Sequence, residues 1–221
     1  MLDRSITRLV SGRMSTTDVT IRDATPDDLE VLYDICLRTG RSGDDASELY
    51  RDHALLGSIY VGPYVALPEE ASRARGFVAA DGDGVGGYVL GTLDTRTFEA
   101  ACERAWWPAL RARHPDPGPS PRTPDEALIA KLHRPDTSPD EVVEQYPAHL
   151  HIDLYPRLQG RGIGRRMIER LLAWMIAAGT PGVHLGVGPT NARAIAFYER
   201  CGFARLAAGD PDDYWMVKSL V

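Results

Sequence analysis

The run Pro156-Arg157-Leu158-Gln159-Gly160-Arg161-Gly162-Ile163-Gly164 has the composition of an anion site. It follows a strand-like stretch and opens an apolar-periodic helix. A helix start offers unpaired backbone N–H groups and the positive end of the dipole. Glycines let that backbone approach phosphate oxygens with no Cβ in the way. Arg157, Arg161, Arg165 and Arg166 fall between Leu154 and Ile168 with no Asp or Glu among them, a local charge of +4 in a chain of net −6. Such a concentration calls for a negative ligand; a tight turn with a solvated basic helix start is the plainer reading. Two phosphate motifs are excluded. Position 165 is arginine, so the glycines do not complete G-x-G-x-x-G, and there is no Gly-Lys-Ser/Thr of a P-loop.

A second group with chemical capacity lies just upstream. His149, His151 and Asp153 alternate through 148–155 (AHLHIDLY), so one side of a strand carries all three unless a bulge swaps their faces. The 6 histidines and 3 cysteines have no metal-ligand spacing, and no metal is expected. Cys36, Cys102 and Cys201 are widely separated and odd in number, which reads as reduced thiols. Cys201, beside the helix-ending Gly202, reads as packing.

These residues need a scaffold, and the chain supplies an alternation of strands and helices. Positions 19–22 (VTIR) read as a strand. Thr25-Pro26-Asp27-Asp28 then gives an N-cap, a proline at N1 and an acidic first turn ahead of Leu29, Leu32, Ile35 and Cys36 at helical spacing. Residues 42–53 read as an irregular loop beside the cleft. Residues 76–80 and 85–93 form a hairpin about a Gly/Asp turn. A helix is expected over 98–113, with at most one of Trp106 and Trp107 lining a pocket because adjacent residues point different ways. The proline-rich 114–124 is irregular, and short helical stretches cover 125–133 and 139–145. After the strand 148–155 and the glycine turn, Met167, Ile168, Leu171, Leu172, Met175 and Ile176 trace one helical face. Strand 183–187, helix 191–200 and strand 214–220 complete the chain.

Bulk properties agree with one globular domain. The chain has 221 residues, 43% hydrophobic and 25% charged, enough to bury a full core. Residues 1–17 read as a loose leader, with Met14 an alternative start, and 18–221 as a single domain holding a helical, Pro-rich insertion at 97–147. No apolar run approaches the ~20 residues that span a membrane, and no secretory signal is read, so a cytoplasmic location is expected. The acidic balance argues against nucleic-acid or anionic-membrane partners and suits a cationic substrate, although solubility alone accounts for it.

Gln159-x-x-Gly162-x-Gly164 is similar to the Q/R-x-x-G-x-G/A signature of the GNAT superfamily of N-acetyltransferases. Asn191-x-x-Ala194-x-x-Phe197-Tyr198-x-x-x-Gly202-Phe203 resembles that superfamily's following helix, in the family's order. The stretches 20–22, 86–94 and 147–156 also resemble the acetyltransferase-like C-terminal domain of animal O-GlcNAcase. That domain is a pseudo-acetyltransferase lacking the cofactor loop, which this sequence keeps; no hexosaminidase activity is implied.

The resemblance implies the GNAT fold of the α/β (α+β) class: a central mixed, twisted sheet flanked by helices, with the helical insertion between the third and fourth strands. It implies acetyl-CoA as cofactor, an amine-bearing substrate, and direct transfer in a ternary complex. The amides of Gln159, Gly160, Arg161, Gly162, Ile163, Gly164 and Arg165 would hold the pyrophosphate. Backbone groups of Leu154 and Tyr155 would pair with the pantetheine arm where strand 148–155 splays from strand 183–187, with room left by Gly186 and Gly188. Tyr198 would protonate the departing thiolate, or pack as a core aromatic beside Phe197. Asn191 would cap its helix and contact the cofactor. A substrate amine is mostly protonated at neutral pH. Asp153, then His151 and His149, are the candidates for base or anchor. A non-catalytic acetyl-CoA-binding module is the rival reading, and homodimers are common in the family.

Overall fold

The computed structural model describes residues 19–206 and 214–221. The leader at 1–17 lies outside the described residues. Strand β1 (Thr20–Asp23) pairs antiparallel with β2 (Ala74–Asp81), which turns back into β3 (Gly84–Thr92). Gly84 opens β3 with φ 92°, a left-handed conformation that favours glycine at this tight turn. β4 (Ala148–Leu154) lies antiparallel to β3, β5 (Gly182–Val187) parallel to β4, and β7 (Tyr214–Ser219) between β5 and the short β6 (Ala204–Leu206). The resulting order is β1-β2-β3-β4-β5-β7-β6.

Period-2 alternation along these strands feeds two cores, one on each face of the sheet. Phe77, Ala79 and Val89 pack with Leu150, Val183, Leu185 and Met216 under α9 (Ile163–Ala177) and α10 (Ala192–Arg200). Val78, Tyr88 and Leu90 point the other way, onto α1 (Leu29–Thr39) and a set of short helices. Met167, Ile168, Leu171, Leu172 and Met175 of α9 are buried as their spacing predicts, each worth about 1.5–3 kcal/mol of burial. Ile176 departs from that face and is 53% exposed.

The helices between β3 and β4 are α5 (Thr95–Ala105), α6 (Trp107–Arg113), α7 (Pro124–His133) and α8 (Asp140–Val143). The single helix expected over 98–113 is thus two. Pro108 cannot donate to the preceding turn, and the chain restarts with it in the first turn of α6. A further difference is the segment after the irregular 42–53. It forms α2 (Leu55–Tyr60), α3 (Gly62–Ala66) and α4 (Glu69–Ser72), which the sequence reading passed over, as it did β6.

Candidate active site

β4 and β5 are hydrogen-bonded neighbours only at Ala148↔Val183 and His149↔His184; beyond that point no pairing joins them. β4 itself runs in unbroken register against β3 from His149 to Leu154, so no bulge intervenes and His149, His151 and Asp153 share a face. Tyr155 donates its N–H to Gly86 O at 2.8 Å. Alternation in the antiparallel pair then turns the backbone groups of Ile152 and Leu154 toward the opening. Tyr155 is directed away from it. Its phenol donates to Asp34 Oδ2 and its ring lies under the Arg157 guanidinium, 5.0 Å from the centroid.

The glycine turn closes the far end of this opening. After a 3-10 turn at Pro156–Leu158, Gly160 and Gly162 adopt φ 69° and 76°, with open space where a Cβ would stand. Gly162 caps α9, and no described acceptor takes the amides of Gly160, Gly162, Ile163 or Gly164. Gly164 answers a different need: a Cβ there would come within 3.2 Å of the Phe197 ring and 3.6 Å of Leu154, so glycine allows α9, α10 and β4 to converge. Gln159 is used structurally. Its Nε2 donates to Leu154 O at 2.7 Å while its Oε1 accepts from Arg193.

The arginine cluster is less unbalanced than its sequence suggested. Arg165 pairs with Glu169 at 2.8 Å one helical turn on, and Arg157 reaches Asp81 at 3.4 Å and the carbonyls of Gly84 and Val85. Arg161 donates to Arg157 O at 3.3 Å. Asn191 caps α10, its Oδ1 accepting from Ala194 N at 3.0 Å.

On the other side of the opening lies a cavity of about 380 Å³. Tyr60, Tyr64, Phe98, Trp107 and Trp215 form much of its wall, with His149, His151 and His184 from the two parted strands. Two of these imidazoles are fully engaged. Thr95 Oγ1 donates to Pro147 O at 2.7 Å, so at 2.8 Å it must accept the Nδ1 proton of His149; His149 Nε2 then accepts from Tyr64 Oη at 2.5 Å. His184 donates from Nδ1 to Tyr146 O at 2.6 Å, leaving Nε2 to accept from Ser138 Oγ at 3.0 Å. His151 has ring contacts with Tyr60, Tyr64 and His149 but no hydrogen-bond partner among the described residues. Burial lowers the pKa of all three. His149 falls well below the usual value, His151, also repelled by His184, to about 4, and His184 less far.

Asp153, the first-choice base from sequence, does not line the cavity. Its Oδ2 accepts from Tyr88 Oη at 2.5 Å, and burial raises its carboxyl to about 6 against the opposing hydrogen bonds of Tyr88 and Thr39. Tyr198 is buried between Phe197 and Phe203, its pKa raised by burial first and by the nearby Asp153 charge second. Cys102 lines the cavity, but burial pushes its thiol up to about 12, so it is not a nucleophile. Trp107 is a wall residue and Trp106 is not; the Trp106 indole instead donates to Ser58 O at 2.8 Å. The sequence reading missed Tyr60, Tyr64, Phe98 and Trp215, and gave His184 no role.

A splayed parallel pair, a glycine-capped helix and the following Asn-capped helix also match known proteins. Residues 130–203 match the Acetyltransferase (GNAT) family. The crystal structure of SsHAT superposes with a TM-score of 0.84 at 40% identity, covering 92% of this chain and 99% of that one. The chain belongs to the GNAT acetyltransferase family. Two curated proteins are also similar to it. Rat (Rattus norvegicus) protein O-GlcNAcase is 27% identical over 207 residues, 88% of this chain but 21% of that protein, so the chain spans about a fifth of its length. Mycothiol acetyltransferase of Beutenbergia cavernae is 40% identical over 85 residues, 38% of this chain and 26% of that protein. Among the described residues, no helix is long and apolar enough to cross a membrane.

Proposed function

We propose that this GNAT chain is an acetyl-CoA-dependent N-acetyltransferase that transfers acetyl to a primary amine by direct attack in a ternary complex. The observation that carries the reading is the parting of β4 from β5 after two residue pairs. It links an unengaged row of helix-start amides at one end to an aromatic cavity at the other.

The residues fit the cofactor. Positive-φ glycines with open space above them, and amides with no described acceptor, suit a pyrophosphate. The amides of 160–164 would receive it, with Arg161 beside them. The unladdered edge of β4, the Ile152 carbonyl and the Leu154 N–H, would pair with the pantetheine arm, the Leu154 carbonyl being held by Gln159. Bound acetyl-CoA supplies the activated acetyl group. An N–H of that same edge is suited to polarise the thioester carbonyl. The incoming ammonium loses its proton to solvent before it is buried. His151, neutral and with no hydrogen-bond partner among the described residues, accepts a hydrogen bond from the resulting amine and orients its lone pair. Asp153 has a positioning role through Tyr88 rather than contact with the amine. Tyr198 Oη, whose raised pKa keeps it protonated, holds a proton for the departing sulfur.

Tyr198→Phe tests the proton donor. Turnover falls about 100-fold, the lower end of general acid catalysis, while acetyl-CoA affinity measured by calorimetry stays within twofold. Unchanged turnover removes Tyr198 from the chemistry. A wild-type protein that neither binds acetyl-CoA nor acetylates any amine sinks the whole reading.

A further inference from the structure

The polar groups that the cavity already uses narrow what it can accept. Three carboxylates stand on its wall, and each has a cation. Glu99 pairs with Arg96 at 2.8 Å, Glu103 with Arg111 at 2.7 Å, and Asp136 with Lys131. His149 and His184 have both ring nitrogens engaged. That leaves His151 to accept from an amine, since the Trp215 indole N–H, also on the wall and without a partner among the described residues, can only donate. Around it are flat apolar surfaces: Tyr64 stacks on Phe98 with centroids 4.3 Å apart and ring planes 28° from parallel, and Trp107 and Trp215 are further walls.

Resting on the reading that this cavity is the acceptor site, we infer that its substrates are arylalkylamines: one primary amine on a short chain, attached to an aromatic ring. Rings in such walls receive another ring in offset or edge-on geometry. A second ammonium, as in a polyamine, would enter a site where burial, reinforced by repulsion from neighbouring rings and Arg96, holds the histidines neutral and every carboxylate is engaged. The cost of burying an unpaired cation exceeds what an aromatic face returns. A lysine side chain brings a single ammonium but an aliphatic stem and a polar backbone, which leave the ring walls unmatched. The volume of about 380 Å³ lies at the small end of small-molecule sites, which run from roughly 300 to 1,000 Å³.

The test is binding of 2-phenylethylamine, spermidine and Nα-acetyl-lysine methylamide to the full chain saturated with CoA, followed by calorimetry and by the fluorescence of the wall tryptophans. 2-Phenylethylamine is expected to bind at least tenfold tighter than the other two. Arg111→Gln frees the Glu103 carboxylate without touching the reaction centre, and should narrow the discrimination against spermidine about tenfold. Spermidine or the lysine derivative binding as tightly as 2-phenylethylamine to the wild type overturns the inference, as does an unchanged ratio in Arg111→Gln. Acetyl transfer is scored separately. If 2-phenylethylamine is bound selectively but not acetylated, the ligand class of the cavity stands and the catalytic reading falls. If spermidine is acetylated in preference, the catalytic reading stands and the acceptor class falls.

Discussion

Replacing Gly162 and Gly164 together by aspartate abolishes acetyl-CoA binding, with a loss of at least 100-fold in a calorimetric titration. Two carboxylates would then face the amides proposed to hold the pyrophosphate. A like charge at about 4 Å costs roughly 1–4 kcal/mol at solvent-exposed to surface dielectrics, so two cost roughly 2–8 kcal/mol, against the ~2.7 kcal/mol that 100-fold requires. Backbone strain adds to this. Gly162 sits at φ 76°, where an L residue pays roughly 1–2 kcal/mol, and a side chain at 164 meets the Phe197 ring. Gly43→Asp separates strain from site, because Gly43 is also left-handed, at φ 97°, with nothing within 4 Å of its added Cβ. That control should bind acetyl-CoA as the wild type does. A double variant that keeps its affinity to within tenfold would remove the glycine turn from the cofactor site.

Acid should weaken this protein from pH 6.5 downward, where ordinary carboxylates are still ionised. The folded-state pKa values of His149, His151 and His184 lie below the ordinary 6.5, so the folded chain binds fewer protons than the unfolded one as pH falls through 6.5 toward 4. Stability therefore rises with pH across that window and is fully present above it. His151 alone, at about 4, costs about 2 kcal/mol by pH 5. Asp153 works in the opposite sense. Its carboxyl is raised to about 6, so its burial penalty is full above pH 6 and is relieved between 6 and 4, returning about 1 kcal/mol by pH 5. Three histidines outweigh one carboxylate. His151 and Asp153 together leave a net loss of about 1 kcal/mol at pH 5, and His149 and His184 add to it in the same direction, so Tm falls by at least a few °C for a chain of this size. His151→Phe should flatten the slope by removing one titration. A Tm that does not move between pH 7 and 5 would show that these imidazoles are solvated and the cavity is not the low-dielectric site described.

The cofactor end of the molecule was legible because its requirements are local. Gly160 and Gly162 need positive φ, Asn191 caps the very helix that follows it, and α9 shows its buried stripe at 3.6 spacing. The parting of β4 and β5 was expected through the resemblance to the GNAT superfamily alone; nothing in the spacing of either strand signals it. The acceptor end was not. Its walls come from α2, α3, α5, α6, α7, the 135–138 segment, β4, β5 and β7, residues far apart in the chain whose meeting is a property of the packed fold. Tyr60 and Tyr64 lie in helices of 6 and 5 residues, too short to show a period and interrupted by Gly62 and Pro63. Spacing alone put His149, His151 and Asp153 on one face, correctly, yet could not say that His149 is locked between Tyr64 and Thr95. Nor could it say that Asp153 is turned to Tyr88 while His151 faces the cavity.

The two rungs between β4 and β5 make the sheet a pair of panels sharing a short seam, β1 to β4 on one side and β5, β7 and β6 on the other. Behind the seam, α9 packs on β2, β3 and β4. Residues of both panels, Leu150 and Val89 on one side and Val183, Leu185 and Met216 on the other, share one core, so the panels are braced at the back and unzipped at the front. The amides of Ile152 and Leu154 on that free margin should exchange with deuterium faster than those of β2 and β3, which are laddered on both sides. A pantetheine arm lying along the margin would act as the missing rungs, and part of its binding energy would appear as protection of these amides. In such a protein, filling the site and finishing the sheet are the same event.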